Sequence, residues 1–296
     1  MQAERIKRGI RRIGILPRHR RWSRFLGDLG LDPRRLAKPV APPGARDFII
    51  CGAPRSGTTL LAAALFQPPK AITVMEPWDG LRLPPAELFA SLRDEIATTG
   101  FLSRGRLDVD ALLSAGEVRW MTEGERGFPV EIDGEYVLGV KWPAFWRYVE
   151  LLPDTRFLVC VRDPVEVVTS CRKKGGAVAE GLDYECAFNA QMNAELRSSS
   201  SDARVRRIRL YDHINGSLLP HLDRPNVHVV RYERWFSERE QMMTEIGDFL
   251  DADLGPGRPE IRPRKAPLDA DPEEIALIAA HCLTGPLLGY EQPAHA

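Results

Sequence analysis

The residues Gly52-Ala53-Pro54-Arg55-Ser56-Gly57-Thr58-Thr59 leave this chain few folds to choose from. They follow a short continuous apolar run, Phe48-Ile49-Ile50-Cys51, and they open a helix-compatible segment, Thr58 to Phe66. Strand, glycine-punctuated turn and helix is the local pattern. At such a junction the unpaired N–H groups of the helix start, the helix dipole and the glycines together make a cradle for an anion. A plain Gly-rich turn is the bland alternative, and the strand before and helix after favour the cradle.

The rest of the chain repeats the alternation. Pro68 and Pro69 stop the first helix, and Ile72-Thr73-Val74-Met75 reads as a strand ending at Glu76-Pro77. Tyr136 to Val140, Arg156 to Val161 and Val227 to Arg231 read as further strands. Ala144 to Leu152, Val165 to Lys173, Asp183 to Ser198, Glu238 to Leu250 and Pro272 to Cys282 read as helices. This predicts an α/β fold: a P-loop-type parallel β-sheet flanked by helices on both faces. One domain is expected over 46–296. Within it, residues 79–130 are less periodic, with helices expected at Ala86–Ala97 and Val109–Ala115, and read as a helical insertion or lid lining an acceptor site.

Composition narrows the class. Hydrophobic residues make up 44% of the 296, ample for a core, and no run of about 18 uncharged apolar residues exists to span a bilayer. The N-terminus lacks the apolar stretch of a secretory signal, so a cytoplasmic setting is expected. Five cysteines at irregular spacing indicate neither a disulfide framework nor a zinc site. Cys51 and Cys160 read as strand core, and Cys171, Cys186 and Cys282 as helix-face residues.

The zero net charge conceals an asymmetry. Residues 1–46 hold 13 of the 41 Lys and Arg and only three of the 41 acids, so the remainder is acidic by the same margin of ten. Residues 1–45 read as a basic arm ending in the linker Pro39-Val40-Ala41-Pro42-Pro43-Gly44. Folding back over the acidic remainder is the simpler expectation. Peripheral contact with an anionic membrane through Ile6, Ile10 and Ile13 is the alternative. No nucleic-acid reading motif accompanies the arm.

The spacing Gly-x-x-x-x-Gly matches the nucleotide-triphosphatase loop, but Thr58 stands where that motif needs Lys. Ala53-Pro54-Arg55-Ser56-Gly57-Thr58-Thr59-Leu60-Leu61 instead resembles the phosphosulfate-binding loop of sulfotransferases that use 3′-phosphoadenosine 5′-phosphosulfate (PAPS). The resemblance implies that Arg55, Ser56, Gly57, Thr58 and Thr59 hold the donor. A second element, Phe157 to Pro164 leading into Val165-Glu166-Val167-Val168-Thr169-Ser170, resembles that family's 3′-phosphate segment. It implies that Arg162 and Ser170 reach the 3′-phosphate. Lys174, four residues beyond Ser170, adds a cation on a similar helix face. Arg231-Tyr232-Glu233 resembles a nucleotide-contacting element, which implies Tyr232 as the contact; a packed strand-end tyrosine is the equal alternative. Arg262-Pro263-Arg264-Lys265 stands where relatives close over the donor.

Sulfuryl transfer to a hydroxyl needs a base for the acceptor proton, cations for the transferring group and charge relief for the departing phosphate. Glu76 ends a strand, where a parallel sheet places its ligand crevice. It matches a catalytic glutamate of the tyrosylprotein-sulfotransferase branch, the branch whose motifs are most alike. Its bland alternative is a solvated residue ahead of Pro77. Lys141-Trp142-Pro143 resembles that branch's Lys-x-Pro element, so Glu76 is expected as base, with Arg55 and Lys141 sharing the charge. PAPS is the expected donor and adenosine 3′,5′-bisphosphate (PAP) the product, with no metal required. The acceptor is expected to be a hydroxyl-bearing small molecule, glycan or lipid, and Trp78, Trp120, Phe128, Trp142 and Trp146 are candidates for an aromatic wall around it, or for core. A P-loop kinase and a non-catalytic nucleotide-binding protein are the competing readings. His213, His221 and His228 are scattered and read as structural or solvated.

Overall fold

The computed structural model describes residues 46–81, 83–105, 128–132, 134–183, 189–256, 263 and 270–291. Five parallel strands form one sheet in the order β2-β5-β1-β6-β7: β1 Asp47–Gly52, β2 Ala71–Met75, β5 Val137–Lys141, β6 Arg156–Val161 and β7 Val227–Arg231. A separate two-stranded antiparallel ladder joins β3 Phe101–Leu102 to β4 Phe128–Pro129. Every residue of β1, β2 and β5 is buried, as continuous apolar runs covered on both faces require. Phe48 of β1 lies in register with Gly139 of β5, where a Cβ would stand 2.3 Å from the Phe48 ring. Glycine there makes room for the aromatic ring.

Helix α1, Thr58–Ala64, packs on the sheet and buries Leu61 together with Ala62, Ala63 and Ala64, whose small side chains allow a close approach. The Thr73 hydroxyl of β2 donates to the Ala62 carbonyl at 2.6 Å, satisfying a buried polar group. Helix α2, Pro85–Thr99, buries Leu88, Phe89, Leu92 and Ile96 at helical spacing. Helix α3, Pro164–Lys174, starts with proline at its first position and with Asp163 as N-cap, its carboxylate accepting from the N–H groups of Val165 and Glu166 at 2.8 and 3.1 Å.

Three expectations change. Ala144 to Leu152 is not an α-helix; a 3-10 helix runs over Pro143–Tyr148, with Phe145 and Val149 bonded three residues back. Phe145, Trp146 and Tyr148 are buried along it. Of the helix read over Asp183 to Ser198, α4 Ala190–Ser199 is described with Asn189 as its N-cap, residues 184–188 lie outside the described residues, and the buried Asp183 is tied to Asn193 by two 2.9 Å bonds. An unread helix, α5 Ala203–Leu218, follows. Its burying face, Arg207, Ile208, Tyr211, Ile214, Asn215 and Leu218, keeps helical spacing, but four arginines obscure it. Arg207 is buried because Glu274, on α7 Pro272–His281, pairs with it at 2.5 Å. Helix α6, Arg239–Leu250, agrees with expectation.

Cys51, Cys160 and Cys171 are buried as read, Cys282 caps α7 rather than lying within it, and Cys186 lies outside the described residues. The basic arm, residues 106–127, and Arg262, Arg264 and Lys265 also lie outside them. Among the described residues no helix is long and apolar enough to cross a membrane.

Candidate active site

The chain leaves β1 for β2 on one side of the sheet and takes up β6 on the other, so the sheet's switch point lies at the carboxyl end of β1. Gly52 ends that strand at φ 143°, and a Cβ there would lie 2.4 Å from the Cys160 carbonyl oxygen of β6. The turn closes with the Ser56 N–H donating to the Ala53 carbonyl at 3.1 Å. Gly57, at φ 101°, has the Tyr232 ring where its Cβ would be, 2.5 Å from Cδ2. Tyr232 is a packed residue, and what it packs on is the loop.

Three non-glycine residues take positive φ among the described residues: Arg55 at 71°, Glu76 at 47° and Asp251 at 54°. Asp251 ends α6, an ordinary place for the left-handed conformation. The other two end no helix, and such conformations cost roughly 1–3 kcal/mol each unless their surroundings impose them. Both are residues expected to be catalytic.

On the β2–β5 side, Met75 is in register with Lys141, which puts Glu76 beside it. Lys141 Nζ donates to Glu76 Oε1 at 2.5 Å, and the Glu76 N–H donates to the Lys141 carbonyl at 2.8 Å. Glu76 and Lys141 are 1% and 2% exposed, so the solvated reading of Glu76 does not hold. Burial pushes the Lys141 ammonium below the ordinary lysine range. Glu76, by charge and hydrogen bond, opposes that fall, as does Cys160, while the Arg55 charge adds to it.

On the β6–β7 side, Arg162 and Tyr232 follow the last residues of the two strands. The Arg162 guanidinium lies 3.7 Å from the centre of the Tyr232 ring, a cation–π contact. It donates through Nε to Glu166 Oε2 at 2.6 Å and through Nη1 to the Arg55 carbonyl at 3.2 Å. Tyr211 Oη donates to the Arg162 carbonyl at 3.0 Å from α5. Arg55 Nε donates to Ser170 Oγ at 2.9 Å, so the loop and α3 already touch through two expected ligand residues. Asp163 is held from behind: its N–H donates to Glu233 Oε1 at 2.9 Å, and Tyr290 Oη donates to Glu233 Oε2 at 3.0 Å. Burial pushes the Asp163 carboxyl above its usual range. Its two helix N–H bonds oppose the rise, and the neighbouring Glu166 and Glu233 charges add to it.

Ser56 and Thr58 are buried, Thr59 is half-buried, and Arg55 and Lys174 are exposed. Ser56 Oγ has no hydrogen-bond partner among the described residues, an orphaned buried hydroxyl in the turn after β1. The three candidate aromatics whose side chains are described, Phe128, Trp142 and Trp146, are buried. Trp142 donates to the Pro77 carbonyl at 2.9 Å, Phe128 meets Phe66 edge-on, and Trp146 stacks edge-on to His213. The side chain of Trp78 and all of Trp120 lie outside the description. The Arg162-Asp163-Pro164 strand end also read as a salt-bridged turn, and the structure supplies the bridge through Glu166, a partner sequence reading did not name; it also missed Tyr211 as a neighbour of Arg162. Glu166 was findable from its i,i+4 spacing, whereas Tyr211 sits on the unread helix. No group of three His, Cys, Asp or Glu among the described residues is placed to hold a metal ion.

A family model described as the sulfotransferase family matches residues 47–256, more than two thirds of the chain and all of the strands and loops just described. The chain belongs to the sulfotransferase family. No curated protein matches it. Among solved structures, a sulfotransferase from Alicyclobacillus acidocaldarius is similar at 16% identity and a TM-score of 0.44, over 85% of this chain and 98% of that one. The sulfotransferase domain of the Synechococcus PCC 7002 olefin synthase gives 16% and 0.41, over 86% and 97%. A mouse sulfotransferase complexed with PAP gives 16% and 0.38, over 74% and 62%.

Proposed function

We propose that this sulfotransferase moves the sulfuryl group of PAPS to a hydroxyl of a small-molecule, glycan or lipid acceptor, with Glu76 as the base. The observation that carries the reading is the closed Glu76–Lys141 pair, buried beside an anion loop and built on a backbone position that a glutamate occupies only at a cost.

The residues present fit the donor. Ser56 Oγ and the loop amides offer hydrogen bonds to a 5′-phosphate, and the orphaned hydroxyl is a buried polar atom in want of a partner. Thr58 and Thr59 begin the helix behind it. Arg162 and Ser170 supply a cation and a hydroxyl for the 3′-phosphate, with Lys174 one turn further, and Tyr232 fixes the plane of Arg162. PAPS brings a sulfuryl group on a phosphate that leaves as part of PAP.

The remaining work falls to three side chains. Arg55 and Lys141, close enough to influence one another, share the charge that grows between the sulfuryl oxygens and the departing phosphate. Glu76 Oε1, released from Lys141 Nζ, takes the acceptor proton. Burial of both groups keeps competing water away from the transfer.

The test is calorimetric titration with PAP, ATP and 5′-AMP without magnesium. Tight binding that needs the 3′-phosphate and is lost in Arg162→Ala supports the donor assignment and justifies an acceptor screen. Preference for ATP, or dependence on magnesium, overturns it in favour of a kinase.

A further inference from the structure

Glu166 occupies the third position of α3, where a glutamate commonly reaches back to the N–H of the N-cap residue. Here it does not. The Asp163 N–H is taken by Glu233 from the end of β7, and the Glu166 carboxylate turns to Arg162 instead. One oxygen, Oε2, accepts from Nε at 2.6 Å and forms an ion pair with Nη2 at 2.6 Å, while Nη1 donates to the Arg55 carbonyl. All three nitrogens of Arg162 are therefore engaged within the protein.

The spacing sharpens the point. Arg162 precedes α3, Glu166 is the helix's third residue and Ser170 lies one turn further on, so the carboxylate that holds the guanidinium comes from the same helix as the hydroxyl. Guanidinium and hydroxyl are the two groups that the donor reading assigns to the 3′-phosphate, and the present inference rests on that reading. A phosphate that engages Arg162 meets a carboxylate of its own sign already seated on the guanidinium. The Glu166 side chain is 29% exposed, against 12% for Arg162, so it has a route to solvent that the arginine lacks.

We propose that the Glu166 carboxylate is an internal stand-in for the 3′-phosphate. It holds Arg162 in place before the nucleotide arrives and swings out when a 3′-phosphate binds. Glu166 is thus a specificity-determining residue: it weakens the hold on nucleotides that carry a 3′-phosphate, product included, and leaves those without one untouched. Release of PAP is helped by the same return of the carboxylate to Arg162.

The experiment is calorimetry of wild type, Glu166→Gln and Glu166→Ala with PAP and with 5′-AMP, alongside thermal unfolding of each protein without nucleotide. Both variants are expected to bind PAP roughly two- to fivefold more tightly, the scale of a partly exposed ion pair, with 5′-AMP unchanged. Weaker or unchanged PAP binding by folded variants overturns the proposal and makes Glu166 a positioning residue for Arg162. Equal tightening of PAP and 5′-AMP also overturns it, since that is a general field effect. If wild type binds PAP no better than 5′-AMP, the donor reading falls first, and this inference with it.

Discussion

The strand ends to the two sides of β1 are built to different rules. Beyond β2 and β5, two opposite charges are sealed from water and bonded to each other in both side chain and backbone. Beyond β6 and β7, the charges are partly exposed and held by a set of partners: a carboxylate, an aromatic face, a loop carbonyl and, further along α3, a hydroxyl. The first arrangement suits chemistry that must exclude water, the second a ligand that comes and goes. Burial makes the difference, because a Coulomb attraction that is weak at the surface strengthens many-fold in a low-dielectric interior, and so does the penalty for leaving one partner alone.

The largest expected effect falls on the sealed side. Glu76→Gln should lower kcat by about 10²–10⁴, the usual contribution of a positioned base, while PAP affinity measured by calorimetry stays within about twofold. Because removing one member of a buried pair costs on the order of 3–5 kcal/mol, urea unfolding must show the variant folded at the assay temperature. A variant that keeps its turnover removes Glu76 from the chemistry and collapses the contrast between the two sides.

On the open side Arg162→Ala should weaken PAP binding roughly 10- to 100-fold, the worth of a charge-assisted contact, with only a small change in unfolding midpoint. If stability falls as far as in Glu76→Gln, the two sides do not differ in kind. Between them stands the loop itself. Gly57→Ala drives a methyl into the Tyr232 ring and should cost about 1–3 kcal/mol in urea unfolding. Gly57→Ala with Tyr232→Ala should recover part of that loss if the ring is the obstacle.

The smallest effect is a pH dependence outside both sides. Burial, aided by the nearby Arg147 charge, holds His213 below its ordinary 6.5, and burial does the same for His228. A group whose folded pKa is depressed contributes stability that is present above its unfolded pKa and lost as pH falls through the folded one. The unfolding midpoint should therefore decline as pH drops below 6.5, and His213→Gln should flatten that decline without altering it above pH 8.

The contrast also explains what was readable from sequence. Apolar runs punctuated by glycine and proline marked all five parallel strands, and Glu76, Lys141, Arg162 and Tyr232 were legible as residues at strand ends. Their pairing was not, since it depends on β2 lying beside β5 rather than beside β1. Helix α5 was lost for a related reason: Arg207 reads as surface until Glu274, 67 residues on, supplies its partner. Trp142 and Trp146 read equally as wall or core because their environment comes from Pro77 and His213, far along the chain.

The left-handed backbone at Arg55 bears on how such a protein ages under selection. Glycine is the residue that conformation favours, so Arg55→Gly relaxes the turn while discarding the loop's cation. Asp251→Gly offers comparable relief at a helix end remote from any chemistry. A population selected for heat resistance alone accepts either change; under the role proposed for Arg55, one that must also turn over its donor accepts only the second. On that proposal, drift at position 55 records whether a lineage still needs the reaction.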